Sequence, residues 1–121
     1  MSREWRMYWL DMRFAATKIQ TYTLDLSEAE FATNELVKDA VLRNLEIIGE
    51  AAKYIPDRVR QNAATLDWRR VIGFRNIVAH AYFGIDRAIL WNIISEKIPE
   101  LLLAMDQVEA SADYSNTPGA S

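Results

Sequence analysis

Hydrophobic residues recur every three or four positions along most of the chain, and this spacing predicts a protein built from α-helices. A first helix is predicted up to about Tyr22, with Ser2 as its N-cap. Its apolar residues share one helical face: Trp5, Tyr8, Trp9, Met12, Ala16 and Ile19. No segment alternates polar and apolar residues as a half-buried β-strand does.

Ser27 and Glu30 form a capping-box pattern, which predicts a short helix over Glu28–Thr33. It leads into the longest predicted helix, about Asn34–Ile55. This helix is too apolar to contact only one neighbour, and its surplus apolar surface could pack against a second copy of the chain. Because glycine costs about 1 kcal/mol relative to alanine inside a helix, Gly49 indicates that another helix crosses closely there.

The segment Asp57–Leu66 lacks a sustained period and is predicted to connect helices through one helical turn. Asp67 is predicted to cap a helix that begins at Trp68. Glycine at position 84 ends that run.

The remaining sequence predicts one more helical region. Asp86 is its predicted N-cap, with a hydrophobic contact between Ile85 and Leu90. Pro99 is expected to interrupt this region, which resumes through Val108. The pattern as a whole predicts an all-α bundle of four to five helices.

The length and composition predict a single domain. The chain has 121 residues, half of them hydrophobic, and we expect the domain to span residues 1–109. Residues 110–121 are small and polar and are expected to be disordered. Cysteine is absent, which excludes disulfides and fits a reducing compartment, so the cytoplasm is the expected location. Neither a signal peptide nor a membrane span is predicted.

The charge distribution limits the ways in which nucleic acid could be held. The net charge of −3 argues against indiscriminate electrostatic binding. Residues 53–87, however, carry seven basic and three acidic side chains. This window could contact phosphates over a small footprint, and it could equally be a solvated helix surface.

Arg75 occupies an unusual position in the helix predicted from Trp68. A rotation of about 100° per residue places it within the apolar stripe. Because burying an unpaired guanidinium is costly, Arg75 must pair, reach solvent, or line a cleft or interface. Glu46 and Glu50 are candidate partners for a purely structural ion pair.

His80 is the only histidine in the chain. It lies about 140° around the helix from Arg75, so the two cannot share one face of an uninterrupted helix. Either the helix ends near Ala79, or the two groups meet across a subunit boundary. A lone histidine is most often structural, and Tyr82 could likewise be an ordinary core or surface aromatic.

A histidine and an arginine are nevertheless sufficient for phosphoryl transfer without a metal. Imidazole can move the proton of a ribose 2′-hydroxyl while guanidinium binds the phosphate. The leaving oxygen also needs a proton, which a second histidine in a symmetric dimer would supply. A Cys/His metal cluster is excluded, no phosphate-binding glycine loop is present, and no cofactor is expected.

The motif RNIVAHAY begins at Arg75 and continues through Asn76 and His80 to Tyr82. It resembles the R-x4-H-x-Y motif of HepT-like toxins in the HEPN superfamily. NLEIIGEAAKYIP, residues 44–56, resembles the long-helix segment of that family. The similarity covers roughly residues 3–108.

This resemblance implies a homodimeric HEPN-like up-down helical bundle that acts as a metal-independent endoribonuclease. Arg75 and His80 would be catalytic at a composite cleft, with Asn76 in support. The implied partner is a minimal nucleotidyltransferase antitoxin, which would transfer AMP to Tyr82 and thereby block RNA. The alternative is a non-catalytic helical dimer that binds a nucleotidyltransferase or a nucleotide, and a purely structural helical protein is a third possibility.

Overall fold

The computed structural model describes residues 4–81, 87–111 and 114, without the side chains of residues 78–81. All regular secondary structure in this part of the chain is helical, as predicted. The α-helices are α1 (Trp5–Thr23), α2 (Glu28–Thr33), α3 (Glu35–Ala52), α4 (Asp57–Arg60), α5 (Trp68–Ala81), α6 (Arg87–Asn92) and α7 (Ile98–Glu109). A 3-10 turn, Gln61–Ala63, follows α4, and a π-helical turn, Ile93–Lys97, joins α6 to α7.

The helix starts follow local capping chemistry. The predicted capping box of α2 is present, with the Ser27 hydroxyl accepting from the backbone N–H of Glu30. Asn34 caps α3 by accepting from the backbone N–H of Val37. Ser2 was the wrong cap for α1, because the Glu4 carboxylate holds that position by accepting from the backbone N–H of Arg6.

The helix ends depart slightly from prediction. Helix α3 ends at Ala52 rather than near Ile55, and the predicted helical turn in the following connection is α4. The interruption predicted near Pro99 takes the form of a π-helical turn between α6 and α7, across which helical structure continues. The π-helical turn bonds the N–H of Ile98 to the carbonyl of Ile93. This wider turn makes room for the proline ring and its missing donor.

Helix α3 lies between α1 and α5 and makes extensive contacts with both. Its buried residues, which include Val41, Leu45 and Ile48, join the two halves of one hydrophobic core. The prediction that α3 touches more than one neighbour is therefore confirmed. Packing on two sides also accounts for its apolar surplus within the chain.

Two further predictions lie mainly outside the described residues: the start of the last helical region at Asp86 and the disorder of residues 110–121. Asp86 and Ile85 are not among them, although Leu90 is buried. Of the tail, Tyr114 is described, and its ring packs edge-on against Trp5 with centroids 5.5 Å apart. Among the described helices, none is long and apolar enough to cross a membrane.

Candidate active site at a helix crossing

At Gly49 the backbones of α3 and α5 are in close contact. A Cβ atom at this position would lie 2.7 Å from the backbone nitrogen of Arg75 and 2.7 Å from the carbonyl oxygen of Ile72. Real Cβ atoms do not tolerate such distances, so only glycine fits without displacing a helix. The predicted close crossing is confirmed, and it fixes the backbone of Arg75 directly against α3.

A second set of contacts holds the ends of the same two helices. The Nη2 atom of Arg60 donates to the carbonyl of Ala52, the last residue of α3, at 2.9 Å. The indole N–H of Trp68, the first residue of α5, donates to the carbonyl of Arg60 at 3.3 Å. The guanidinium of Arg60 also lies 5.7 Å from the Trp68 ring centroid. The sequence did not reveal this role, because Arg60 stands in a segment without periodicity.

The Arg75 side chain extends from the crossing toward solvent. Its Nη1 atom donates to Oε1 of Glu50 at 3.1 Å, and the two side chains are 39% and 48% exposed. The hydrogen bond from Arg75 lowers the pKa of Glu50, and the nearby Lys53 ammonium, 3.4 Å from Oε2, lowers it further. Pairing of Arg75 with a helix carboxylate is thus confirmed for Glu50.

This ion pair is open enough to exchange partners. Exposed ion pairs contribute little to stability, so an incoming phosphate can replace the carboxylate at little cost. Guanidinium binds phosphate through two parallel N–H donors, and the half-exposed Arg75 can offer them. The pair therefore holds Arg75 in place and leaves it available to an anion.

The helix carrying Arg75 continues through His80 to Ala81. The helix thus ends two residues after Ala79, and His80 lies within its last turn. Positions 75 and 80 lie about 140° apart around the axis of this helix. The side chain of His80 is not described, Tyr82 lies outside the described residues, and Asn76 is exposed.

The basic window divides into structural and accessible parts. Arg60 is engaged at the helix ends, and Arg87 pairs with Glu28 at 3.4 Å. Arg69 and Arg70 are exposed on the first turn of α5, where they line a cavity of about 710 Å³ between α5 and α6. Arg69 and Arg70 lie about 120° and 140° around α5 from Arg75, so they form a basic surface separate from the Arg75 site.

No metal centre is evident in the described part of the chain, where no three histidine, aspartate or glutamate side chains converge to hold an ion. The cations beside Glu50 that can bind a phosphate are the guanidinium of Arg75 and the ammonium of Lys53. The chemistry available at the crossing is anion binding by Arg75, which its α3 partner Glu50 orients.

The fold and this crossing define a small all-helical protein whose candidate reactive groups, Arg75 and His80, share one helix. The chain belongs to the HepT-like family, since the family model described as ribonuclease HepT-like matches residues 12–108.

Relatives with assigned names agree with this placement. A Methanocaldococcus jannaschii protein, named provisionally as an RNase, is 37% identical over 82% of this chain and 91% of its own length. A Thermococcus cleftensis protein, named provisionally as the ribonuclease HepT, is 36% identical over 84% of this chain and 92% of its own. A second M. jannaschii protein, named as a γ-glutamylcyclotransferase and provisional RNase, is 37% identical over 69% of this chain and 37% of its own length. No solved structure gives a significant match to this chain.

Proposed function

We propose that this protein is the toxin of a toxin–antitoxin pair and cleaves RNA as a metal-independent endoribonuclease. The observation that carries the proposal is the half-exposed guanidinium of Arg75 in a chain of the HepT-like family, with its backbone fixed by the Gly49 crossing and its side chain paired with Glu50. A guanidinium that is held in position but remains open to solvent is suited to binding an RNA phosphate.

In the proposed reaction, the ribose 2′-oxygen attacks the adjacent phosphorus and the bond from phosphorus to the 5′-oxygen breaks. The products are a 2′,3′-cyclic phosphate and a 5′-hydroxyl. Arg75 leaves Glu50, binds the phosphate and stabilises the negative charge that develops on its oxygens. His80 accepts the proton of the 2′-hydroxyl as the general base.

The leaving 5′-oxygen needs a proton from a second group. The continuity of α5 supports a site shared between two chains, because positions 75 and 80 of one chain lie about 140° apart around the helix. We propose that a homodimer brings both copies of Arg75 and His80 into one cleft, where the second histidine is the acid. Asn76 supports Arg75 at this cleft.

We further propose that the partner is a minimal nucleotidyltransferase antitoxin that transfers AMP from ATP to the Tyr82 hydroxyl, releasing pyrophosphate. The added phosphate would compete for Arg75 and place negative charge beside His80. Coexpression should add one or more AMP masses to the peptide containing Tyr82, and an unmodified peptide would argue against this step.

Cleavage is tested by incubating the purified protein with RNA in EDTA. We expect cyclic-phosphate ends, and we expect Arg75→Ala to lower the rate by roughly 100-fold or more, the typical effect of losing a group that stabilises transition-state charge. His80→Ala should lower it by a similar factor. Absence of cleavage, or equal cleavage by His80→Ala, would refute the nuclease proposal.

The shared site is tested with mixed dimers that carry one wild-type and one His80→Ala chain, purified through two different tags. If both histidines serve one cleft, the mixed dimer should be nearly as inactive as the dimer in which both chains carry His80→Ala. Retention of half the wild-type activity would show that each chain acts alone.

A further inference from the structure

A cavity of about 350 Å³ opens between α1 and α3, on the side of α3 that carries Glu50. We call it the tyrosine pocket, because Tyr8 of α1 and Tyr54 at the end of α3 line it. Glu50 belongs both to this pocket and to the ion pair with Arg75. The pocket is therefore separated from the proposed phosphate site by a single side chain.

The charges that line the tyrosine pocket disfavour a phosphate as its occupant. The lining includes three carboxylates, those of Asp11, Glu46 and Glu50, and one guanidinium, that of Arg43. Of the three carboxylates, Glu50 is also paired with Arg75 and Lys53. The three carboxylates do not converge into a set that could hold a metal ion. Because carboxylates accept hydrogen bonds and repel anions, the pocket favours an uncharged group with N–H donors.

The aromatic rings favour a flat occupant. Tyr8 and Tyr54 are stacked, with centroids 4.3 Å apart and planes inclined by 16°, and Tyr54 is 52% exposed. Lys53 lies 6.0 Å from the Tyr54 centroid, at the outer limit of a cation–π contact, so another group can displace it from the ring. Because Tyr8 covers one face of the Tyr54 ring, an unstacked RNA base can stack only on the other face, with its hydrogen-bonding edge open to side chains.

We propose that the tyrosine pocket binds one nucleobase of the RNA substrate, adjacent to the phosphate held by Arg75. This inference rests on the proposed function and adds a source of sequence preference to it. Guanine fits best, because its Watson–Crick edge presents adjacent N–H donors to the two oxygens of a carboxylate. Uracil fits worst, because its single N–H lies between two carbonyls that carboxylates repel.

Glu50 gives the pocket a direct connection to the reaction. When phosphate replaces Glu50 as the partner of Arg75, Oε1 of Glu50 loses a donor while Oε2 keeps its contact with Lys53. An N–H group of the base can then replace the hydrogen bond that Arg75 made to Oε1, which couples base binding to phosphate binding.

The test measures kcat/KM for short RNAs that differ only in the base on one side of a single cleavable linkage. Wild-type protein should prefer guanine to uracil. Tyr54→Ala should lower kcat/KM roughly 5- to 100-fold, while Tyr54→Phe should retain it, because stacking requires the ring and not the hydroxyl. Glu46→Gln should reduce the preference for guanine over uracil.

Matched controls are available on the same helices. Tyr22→Ala removes an exposed tyrosine from the far end of α1, and Asp39→Asn neutralises an exposed carboxylate of α3 that does not line the pocket. Neither control should alter the base preference. Equal base preference and equal kcat/KM in the pocket variants and these controls would overturn the proposal.

Two further outcomes separate this inference from the proposed function. If wild-type protein does not cleave RNA, the nuclease proposal fails, and calorimetry with 2′-deoxy oligonucleotides containing guanine or uracil still decides whether the pocket binds a base. If Tyr54→Ala instead changes the oligomeric state in light scattering, a second copy of the chain covers the pocket and the base proposal is wrong.

Discussion

The contact between α3 and α5 and the contact between α1 and α7 hold the bundle together by different means. At the first, backbone approaches backbone at Gly49, and no side chain there can adjust. At the second, Glu109 of α7 accepts from the indole N–H of Trp9 and from Nε of Arg13, each at 2.8 Å. The rigid contact carries Arg75, whereas the side-chain contact joins the ends of the chain. The more rigid of the two contacts is thus the one that positions Arg75, the candidate phosphate-binding residue.

The largest expected effect comes from Gly49→Ala. The new methyl group would force α3 and α5 apart, and overpacking of this kind typically costs about 1–3 kcal/mol. Urea unfolding should show this loss of stability, and RNA cleavage should fall as well because Arg75 moves with α5.

Gly73→Ala is the matched control, since a Cβ at this α5 position meets nothing within 4 Å. It should raise stability by up to about 1 kcal/mol, the usual helix preference for alanine over glycine. Equal effects of the two substitutions would show that the crossing is not as tight as the distances indicate.

A smaller loss, about 1 kcal/mol, is expected from Glu109→Ala. The indole N–H of the buried Trp9 would lose its acceptor, but Glu109 is 34% exposed, so water can partly replace the carboxylate. Asp106→Ala removes a 65% exposed partner of the same Arg13 and should cost less than about 1 kcal/mol. Cleavage activity of the folded protein should be unchanged in both variants, and a selective loss of activity would contradict the separation of the two contacts.

The smallest effect concerns the titration of Glu50. Arg75 lowers its pKa, so the ion pair stabilises the fold above the ordinary glutamate pKa and is lost as the pH falls through the lowered value. In Arg75→Ala, NMR titration of the Glu50 carboxyl should show a pKa closer to the ordinary one. Lys53→Gln should produce a smaller rise, and the reverse order would show that Lys53 is the dominant partner.

Most helix positions could be predicted because they depend on nearby residues. The capping box at Ser27 and the periodicity of α3 act within one or two turns, so they can be recognised directly in the sequence. The features that were not predicted depend on competition between two possible capping residues or on an adjustment of the backbone several residues away. Glu4 rather than Ser2 caps α1, and a π-helical turn precedes Pro99 within continuous helical structure.

The candidate site divides along the same line. The position of Arg75 within an apolar stripe and the glycine in α3 were visible in the sequence, and together they predicted a paired arginine and a close crossing. That these two features meet each other could not be read, because residues 49 and 75 are joined only by the packing of two helices. The catalytic assignment of Arg75 and His80 remains a prediction from the motif.

The sequence by itself determined the helical class, the family motif and the residues able to act on phosphate, since these follow from periodicity and residue chemistry. Only the tertiary structure decided that Glu50 rather than Glu46 pairs with Arg75, and that α5 continues past His80. It also placed the tyrosine pocket beside the ion pair. The physical reason is that a pairing partner or a cavity depends on where separate helices cross, and the crossing is fixed by packing across the whole bundle.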